Sequence, residues 1–584
     1  MIHRGIALTL TVVLNQALAF TSIAPPTSLR SLQLGYKPDP LGVASDLDIS
    51  SLNGRKSDTS AKIKMPTRSS TPIVNPADDK SANEESIDWF NTWLPLMPVD
   101  FLDREKPTPF QLLGMDIVVW NDGKVVEGDS GKPIGFGSKM ERPWNSRREE
   151  GKWRAFVDHC PHRAAPLSEG RVEDDGTLMC SYHAWRFDGD GEVAVVPQAV
   201  TNELDRIKKN PKSSCNSFPT KVKNGLLWVW AASGSDARIK SELTPIVDMS
   251  LEGYFDDADE SNIVTEPWTF RSVPHGWDYF IENILDPAHL PIAHHGVVSS
   301  RYTEPRPFFF NTTTTEISKK GFELQFRMNM EDPNAPKDGK FSTTYDFAAP
   351  SQVRMVTKAG EAGAGHIIEF YVSPAAPGVC NFCSRQILVK TKEGKVQFTG
   401  RKTRDTQIKA LLLFAKLPVF LSHIARNKFL NQDTALCAIQ ERILHDSGYS
   451  TIKGDDEEPD SYAKATLPIS ADKGVLLFRK WFKRVSGGRV PFKGDTNFPP
   501  IEKDSTFDVY NSHTKYCRAC SGALENLRKI RVALYSITLV TVIWNPYPVL
   551  GTGVFVAIFV ASSLLATKLI DSMIRIEVPH GSND

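Results

Sequence analysis

Cys160-Pro161-His162 and Cys180-Ser181-Tyr182-His183 form a C-x-H and a C-x-x-H with seventeen residues between them. No other feature restricts the fold as much, because the two halves must sit on loops that meet around metal. Each loop offers one thiolate and one imidazole. That pairing suits a [2Fe–2S] cluster in which cysteines hold one iron and histidines hold the other. Neutral imidazole donates less negative charge than thiolate, so such a cluster accepts an electron at a higher potential than an all-cysteine one. The same four residues also make a Cys2His2 zinc set. Zinc fingers, however, put cysteine with cysteine and histidine with histidine, whereas each loop here carries one of each.

The flanking residues narrow the type. Rieske proteins of quinol oxidases carry an extra cysteine in each cluster loop, and no cysteine lies between Cys160 and Cys180. Arg163 and Ala184 directly follow the two histidines. The segments Cys160-Pro161-His162-Arg163 and Cys180-Ser181-Tyr182-His183-Ala184-Trp185-Arg186-Phe187 resemble instead the Rieske domain of a ring-hydroxylating oxygenase. That resemblance implies a second, mononuclear iron elsewhere in the chain.

About a hundred residues on, Asp286-Pro287-Ala288-His289-Leu290-Pro291-Ile292-Ala293-His294-His295 places two histidines five apart after an aspartate. They can reach one metal if the helix breaks between them, and Pro291 supplies the break. Two histidines and one carboxylate on one face of Fe(II) leave positions open for dioxygen. D-x-x-H-x-x-x-x-H matches the oxygenase pattern, so His289 and His294 are read as iron ligands and His295 as a neighbour. The resemblance makes Asp286 a bridge that hydrogen-bonds a metal histidine and a Rieske histidine of an adjacent subunit, fixing imidazole orientation. Glu282 and Asn283 compete for the polar position one turn earlier; Asn283 is taken with Asp286 as a catalytic candidate. The third ligand is read as Asp433, which follows an apolar helical run and precedes Leu436 and Gln440-Glu441 as in related chains. Asp446 is the alternative.

The ends point to targeting. Residues 1–19 combine His3 and Arg4 with an apolar run and end in Ala17-Leu18-Ala19, a signal peptide with an A-x-A cleavage site. Residues 20–80 are rich in Ser, Thr and Pro with scattered basic groups, and the pair resembles the bipartite plastid presequence of algae with extra plastid membranes. Secretion is the alternative. Eight cysteines, two of them committed to a cluster, argue against a disulfide scaffold. At the other end, Val532 to Trp544 and Val549 to Thr567 are apolar around an Asn545-Pro546-Tyr547-Pro548 turn. This predicts a transmembrane hairpin over 530–568, with Arg528, Lys529 and Arg531 on one flank and Lys568 and Arg575 on the other. A buried core helix is the alternative.

Between the ends, short alternating segments such as Asp116-Ile117-Val118-Val119-Trp120, Trp153-Arg154-Ala155-Phe156-Val157 and Gly225-Leu226-Leu227-Trp228-Val229-Trp230 predict an all-β Rieske domain over 87–235. Strands alternate with helices over 240–505, which predicts an α+β catalytic domain; the resemblance implies a helix-grip-like form. The run Ala410 to Leu421 is too short and interrupted to span a membrane, and reads as a core helix or as a membrane-facing lip for a hydrophobic substrate. Basic and acidic residues balance at 69 each, leaving no basic stripe for nucleic acid.

Residues 506–526 hold Cys517-Arg518-Ala519-Cys520 after His513-Thr514-Lys515-Tyr516. With Asp286-Pro287-Ala288-His289 and Ala293-His294-His295-Gly296, this resembles the plastid subfamily of pheophorbide a oxygenase, chlorophyllide a oxygenase and Rieske components of the inner-envelope translocon. The resemblance covers about 87–570. It implies oxygenation of a chlorophyll-derived ring with dioxygen and electrons from plastid ferredoxin, since no G-x-G-x-x-G is present for NAD or flavin. It also implies a homotrimer on the inner envelope or thylakoid membrane, its catalytic part on the stromal side. The competing class is an electron carrier or redox sensor of an envelope import complex. Cys517 and Cys520 are read as a thioredoxin-reducible switch, with a low thiol pKa if Lys515 and Arg518 are close. Cys380-Asn381-Phe382-Cys383 makes a four-cysteine zinc site arithmetically possible.

Overall fold

A computed structural model of the chain describes residues 86–127, 146–249, 251, 254–255, 258–297, 300–311, 316–328, 343–358, 364–398, 402–446, 466–494, 497–544 and 549–578. The expected signal peptide over 1–19, the transit-like segment over 20–80 and the Asn545–Pro548 turn lie outside them. The chain divides into two units, Met1–Asn83 with Ala533–Val560 and Glu84–Val532 with Ala561–Asp584. In the first unit the described residues belong to two helices, treated last.

The second unit begins with small antiparallel sheets. Thr108–Leu112, Met115–Asn121, Trp153–Val157 and Ser217–Phe218 form one, and Leu226–Trp230 pairs with both Trp93–Pro98 and Thr220–Lys223 in another. A third sheet, Arg171–Val172, Leu178–Met179, Arg186–Phe187 and Val193–Val195, is the platform from which the second Cys/His loop projects. All five residues of Leu226–Trp230 are buried, with Trp230 edge-on to Trp93 at 5.6 Å. The strand is therefore enclosed on both faces, which explains why its sequence is apolar throughout.

Beyond residue 260 an eight-stranded antiparallel sheet dominates. Its order runs Ile263–Thr265, Val379–Val389, Gly365–Ala376, Gln352–Lys358, Thr343–Ala348, Gly321–Met328, Phe308–Asn311, and Thr269–Val273 also pairs with Val379–Val389. The helices Trp277–Leu285 and Lys473–Ser486 pack against it through Trp277, Phe478, Trp481 and Phe482, with Phe347 of the sheet edge-on to Trp481 at 4.8 Å. Burying each of these aromatic side chains is worth about 2–3 kcal/mol, more than any exposed ion pair can add. The helices approach closely because Gly474 has no Cβ; one built there would stand 2.3 Å from the Leu285 carbonyl oxygen. One apolar core joins this assembly to Trp93, Leu96 and Leu226 of the first sheets.

The apolar run Ala410 to Leu421 is not one helix. It is divided between Lys402–Phe414 and Val419–Asp446, with the break at Leu417-Pro418. Leu411 is buried while Leu413 and Leu417 are exposed. The C-terminal helices are Arg518–Trp544 and Val549–Ile574. Among the described residues one stretch, Gly551–Ile574, is long and apolar enough to cross a membrane, with a mean hydropathy of 2.1 and 17% of its window buried. Helix Arg518–Trp544 exposes Val540, Ile543 and Trp544 at its far end, but its first half is charged.

Candidate metal centres

The two Cys/His loops are near copies of each other. The Cys160 N–H donates to the Ala165 carbonyl and the Ala164 N–H returns to the Cys160 carbonyl; Cys180, Trp185 and Ala184 repeat both bonds. Ala164 and Ala184 each sit at φ 56°, a left-handed conformation uncommon outside glycine, which closes the loop tightly enough to aim both ligands inward. Cys160 and Cys180 are buried and their thiols hydrogen-bond each other; burial, with the neighbouring thiol, pushes Cys160 up to about 11. His162 is exposed and stands 4.7 Å from the half-buried His183, ring centre to ring centre, and Trp185 stacks flat on His162 at 4.6 Å. Burial and the neighbouring His183 lower the His162 pKa and favour the neutral imidazole a metal requires. Among the described residues, no three of these four have ligand atoms all within 4.8 Å of one another. A thiol pair beside an imidazole pair fits two irons with different ligands, and does not fit one tetrahedral zinc.

His289, His294 and Asp433 do converge, with ligand atoms all within 4.8 Å. Both rings present Nε2 to the Asp433 carboxylate, at 3.9 Å and 3.1 Å respectively. The short helix Leu290–Ala293, with Pro291 in its first turn, turns the chain between the histidines. His294 is wholly buried, stacked on Phe429 at 3.6 Å, with Nδ1 3.2 Å from the Gln432 side-chain oxygen. That oxygen can only accept, so Nδ1 carries the proton and Nε2 offers a lone pair. His294 Nε2 is buried with no hydrogen-bond partner, as expected of an atom whose partner is a cation. Burial alone would lower the His289 pKa, but Asp433 and Asp286 together raise it.

Asp286 caps the helix Trp277–Leu285, accepts the Ala288 N–H at 2.8 Å and lies 3.7 Å from His289 Nδ1, an ion-pair distance longer than a hydrogen bond. Asn283 is half-buried on the same helix, and its carbonyl accepts the Asp286 N–H. Glu282 is buried and paired with Arg479, which also holds Asp278. His295 points elsewhere: its Nδ1 accepts the Arg301 N–H and its ring meets Tyr302. Asp446 ends the helix Val419–Asp446, about 20 Å along the axis from Asp433. One neighbour goes unsignalled in the sequence. His275 is fully buried, and burial pushes it down to about 4 against the raising effects of the Gly276 backbone and the charge of Asp433.

A second converging set is formed by His423, His513, Cys517 and Cys520, all buried, with ligand atoms within 4.8 Å of one another. Lys515 and Arg518 are not what surrounds these thiols. Lys515 reaches Asn511 and lies over Tyr516, while Arg518 donates to the Leu102 carbonyl. Cys517 is pushed down chiefly by its hydrogen bond from Cys520, then by His423 and His513. Cys380 and Cys383 are buried in the strand Val379–Val389 and lie outside this set, so the four-cysteine site does not form. A cavity of about 430 Å³ lined by Gly276, Trp277, Glu441 and Phe498 includes no residue of any of these sets.

Residues 92–218 match the family model of the Rieske [2Fe-2S] domain, and residues 347–451 match that of pheophorbide a oxygenase. Chloroplastic flavonoid 8-hydroxylase 2 of Ocimum basilicum is 28% identical over 81% of this chain and 80% of its own. Chloroplastic pheophorbide a oxygenase of Arabidopsis thaliana is 28% identical over 79% of this chain and 77% of its own. The chloroplastic protein TIC 55 of Arabidopsis thaliana is 26% identical over 78% and 76%.

Proposed function

We propose that the chain, which joins a Rieske [2Fe–2S] domain to a pheophorbide a oxygenase domain, is a Rieske-type non-haem iron oxygenase that uses dioxygen and ferredoxin-derived electrons to oxidise a chlorophyll-related tetrapyrrole. The observation that carries this reading is the convergence of half-buried His289 with buried His294 and Asp433. An electron carrier has no use for such a set. When bound, the [2Fe–2S] cluster supplies single electrons and the mononuclear iron binds and activates dioxygen. Cys160 and Cys180 would hold one iron of the cluster, His162 and His183 the other. His289, His294 and Asp433 would hold the mononuclear iron, with Gln432 fixing the His294 tautomer. Asp286, beside His289 and one-third exposed, is the positioning residue that faces the route to a cluster.

The tetrapyrrole is favoured by the pheophorbide a oxygenase match, which spans Asp433, and by exposed Leu413 and Leu417 just before the Asp433 helix, an apolar lip suited to a lipophilic ring. A membrane hairpin over 530–568 is supported by the apolar stretch Gly551–Ile574. It is supported too by the return of the chain to the unit it left: the Ile576 N–H donates to the Phe507 carbonyl, and Asn431 to the Ile576 carbonyl. Both basic flanks then lie on the catalytic side. The relatives' chloroplastic names support a plastid location; with the hairpin, this reading puts the protein on a plastid membrane, its catalytic part stromal. A homotrimer, joining one subunit's cluster to its neighbour's Asp286, completes the reading.

Iron content and product formation test it. Purified protein should hold three irons per chain, two in the cluster and one at the mononuclear site, and with reduced ferredoxin should oxidise one of pheophorbide, chlorophyllide or protochlorophyllide. Two irons and no oxygenated product would make it the electron carrier. Turnover of a flavone alone would move the substrate class away from tetrapyrroles.

A further inference from the structure

We propose that His423, His513, Cys517 and Cys520 bind a structural Zn²⁺ in a closed tetrahedral site that fastens the start of the C-terminal helix to the helix carrying Asp433. The nitrogen–sulfur distances are the first argument. His423 Nδ1 lies 3.4 Å from both Cys517 Sγ and Cys520 Sγ, and His513 Nε2 lies 3.3 Å from Cys520 Sγ. Zinc bonds of about 2.3 Å to sulfur and 2.0–2.1 Å to nitrogen, held at tetrahedral angles, put N and S about 3.6 Å apart. The four side chains are thus close to the spacing that a single central ion imposes.

Hydrogen bonds alone account poorly for the same contacts. A ring nitrogen has one lone pair or one N–H, yet His423 Nδ1 faces two sulfurs at equal distance. His513 is oriented for a metal: its Nδ1 lies 2.6 Å from the Phe270 carbonyl, which can only accept, so Nε2 is left with its lone pair aimed at Cys520. A ligating histidine usually donates its other N–H in this way. The ring of Phe101 lies 6.0 Å from both imidazoles, and all four ligands are within 1% of full burial. No position is left open for water or substrate, the mark of a structural site.

Local backbone serves the same end. His513 rides on a π-helical turn, Tyr510–Thr514, an irregularity often found at functional sites, and Cys517 and Cys520 follow at the start of Arg518–Trp544. Charge balances as well. Two thiolates and two neutral imidazoles neutralise Zn²⁺, and loading the site releases the two thiol protons to solvent. A fully ligated metal also holds both sulfurs as thiolates, so the pair is not free to cycle as a dithiol while zinc is bound.

The test uses full-length protein purified anaerobically in detergent. Elemental analysis should find about one zinc per chain in addition to iron, and zinc-edge absorption should give two sulfur neighbours near 2.3 Å and two nitrogens near 2.0 Å. The double variant Cys517→Ser/Cys520→Ser should lose zinc roughly tenfold or more while the visible spectrum of the [2Fe–2S] cluster persists. If that variant fails to fold, the absorption edge of the wild-type protein still decides. Zinc-free protein from zinc-replete cells, a fourth iron in its place, oxygen neighbours at the edge, or a Cys517–Cys520 disulfide by mass spectrometry would each overturn the assignment.

Discussion

His294 turns Nε2 to within 3.1 Å of the Asp433 carboxylate while its Nδ1 faces Gln432, the residue immediately before that aspartate, at 3.2 Å. One helical turn therefore supplies both a proposed iron ligand and the group that orients another. Gln432 also donates to the His295 carbonyl, which ties the histidine segment to the helix. Gln432→Leu should leave the fold in place and weaken iron binding about 10–100-fold. Iron titration of the apoprotein measures this; unchanged affinity would mean the histidine needs no such partner.

Removing the ligands themselves should separate the two metal centres. His289→Ala, His294→Ala or Asp433→Ala should each cut iron from three to two per chain and abolish turnover, with the [2Fe–2S] absorption intact. Asp446→Ala should retain all three. Cys160→Ala or His183→Ala should abolish the cluster spectrum and, with it, turnover.

Asp286→Asn keeps the shape of the side chain and its acceptor for the Ala288 N–H, and removes the charge beside His289. Both metals should stay bound while substrate-dependent oxidation of the reduced cluster slows at least tenfold, followed by stopped-flow absorbance. Co-assembled Asp286→Asn and Cys160→Ala chains should recover part of the activity that each lacks alone. Full-speed turnover in Asp286→Asn would remove its positioning role.

Glu441 gives a prediction about pH. Burial, together with the like charge of Asp278, pushes its carboxyl up to about 8 from an ordinary 4.5, against the lowering effect of the Gly276 N–H it accepts at 2.9 Å. The folded state then holds a proton that the unfolded chain has lost, so stability falls as pH rises from 4.5 to 8. The whole effect is at most about 5 kcal/mol. Glu441→Gln, which still accepts the Gly276 N–H, should raise the melting temperature more at pH 8 than at pH 5. An equal change at both would show that Glu441 ionises freely.

Legibility in the sequence followed chain distance. The cluster loops could be read because ligand and loop are one short segment: C-x-H and C-x-x-H each fix geometry locally. D-x-x-H-x-x-x-x-H kept both histidines in one short segment, but Pro291 does not break a helix between them: it sits in the first turn of Leu290–Ala293, which His289 and His294 cap. Asp433 needed a resemblance, because a lone acid in a helix looks like a solvated surface group. The helix around it holds a signal that was available, though. Ser422, His423, Asn427, Asn431, Gln432, Asp433, Thr434 and Glu441 are all buried, and polar residues recurring three or four apart through a helix mark a face that must meet partners. His423 was invisible as a ligand because its sulfur partners lie over ninety residues away. For the same reason the C-x-x-C invited a pairing with Cys380 and Cys383, when two histidines were its real neighbours. The apolar stretch near 410 read as one run because composition does not show where Pro418 breaks it.

The joint between the first sheets and the catalytic sheet has a consequence for traffic at the surface. Trp89 donates its indole N–H to Ser486 at 2.8 Å, the Ile87 N–H meets the Val485 carbonyl, and Trp93 and Trp481 belong to one apolar core. A module seated so deeply cannot swing out like an arm to collect electrons and swing back to deliver them. It works as a fixed terminal. Under the proposed function a donor would have to travel to it, with His162 and Tyr182 the exposed part of the cluster loops, so that the pace of visits would fall to the visiting carrier.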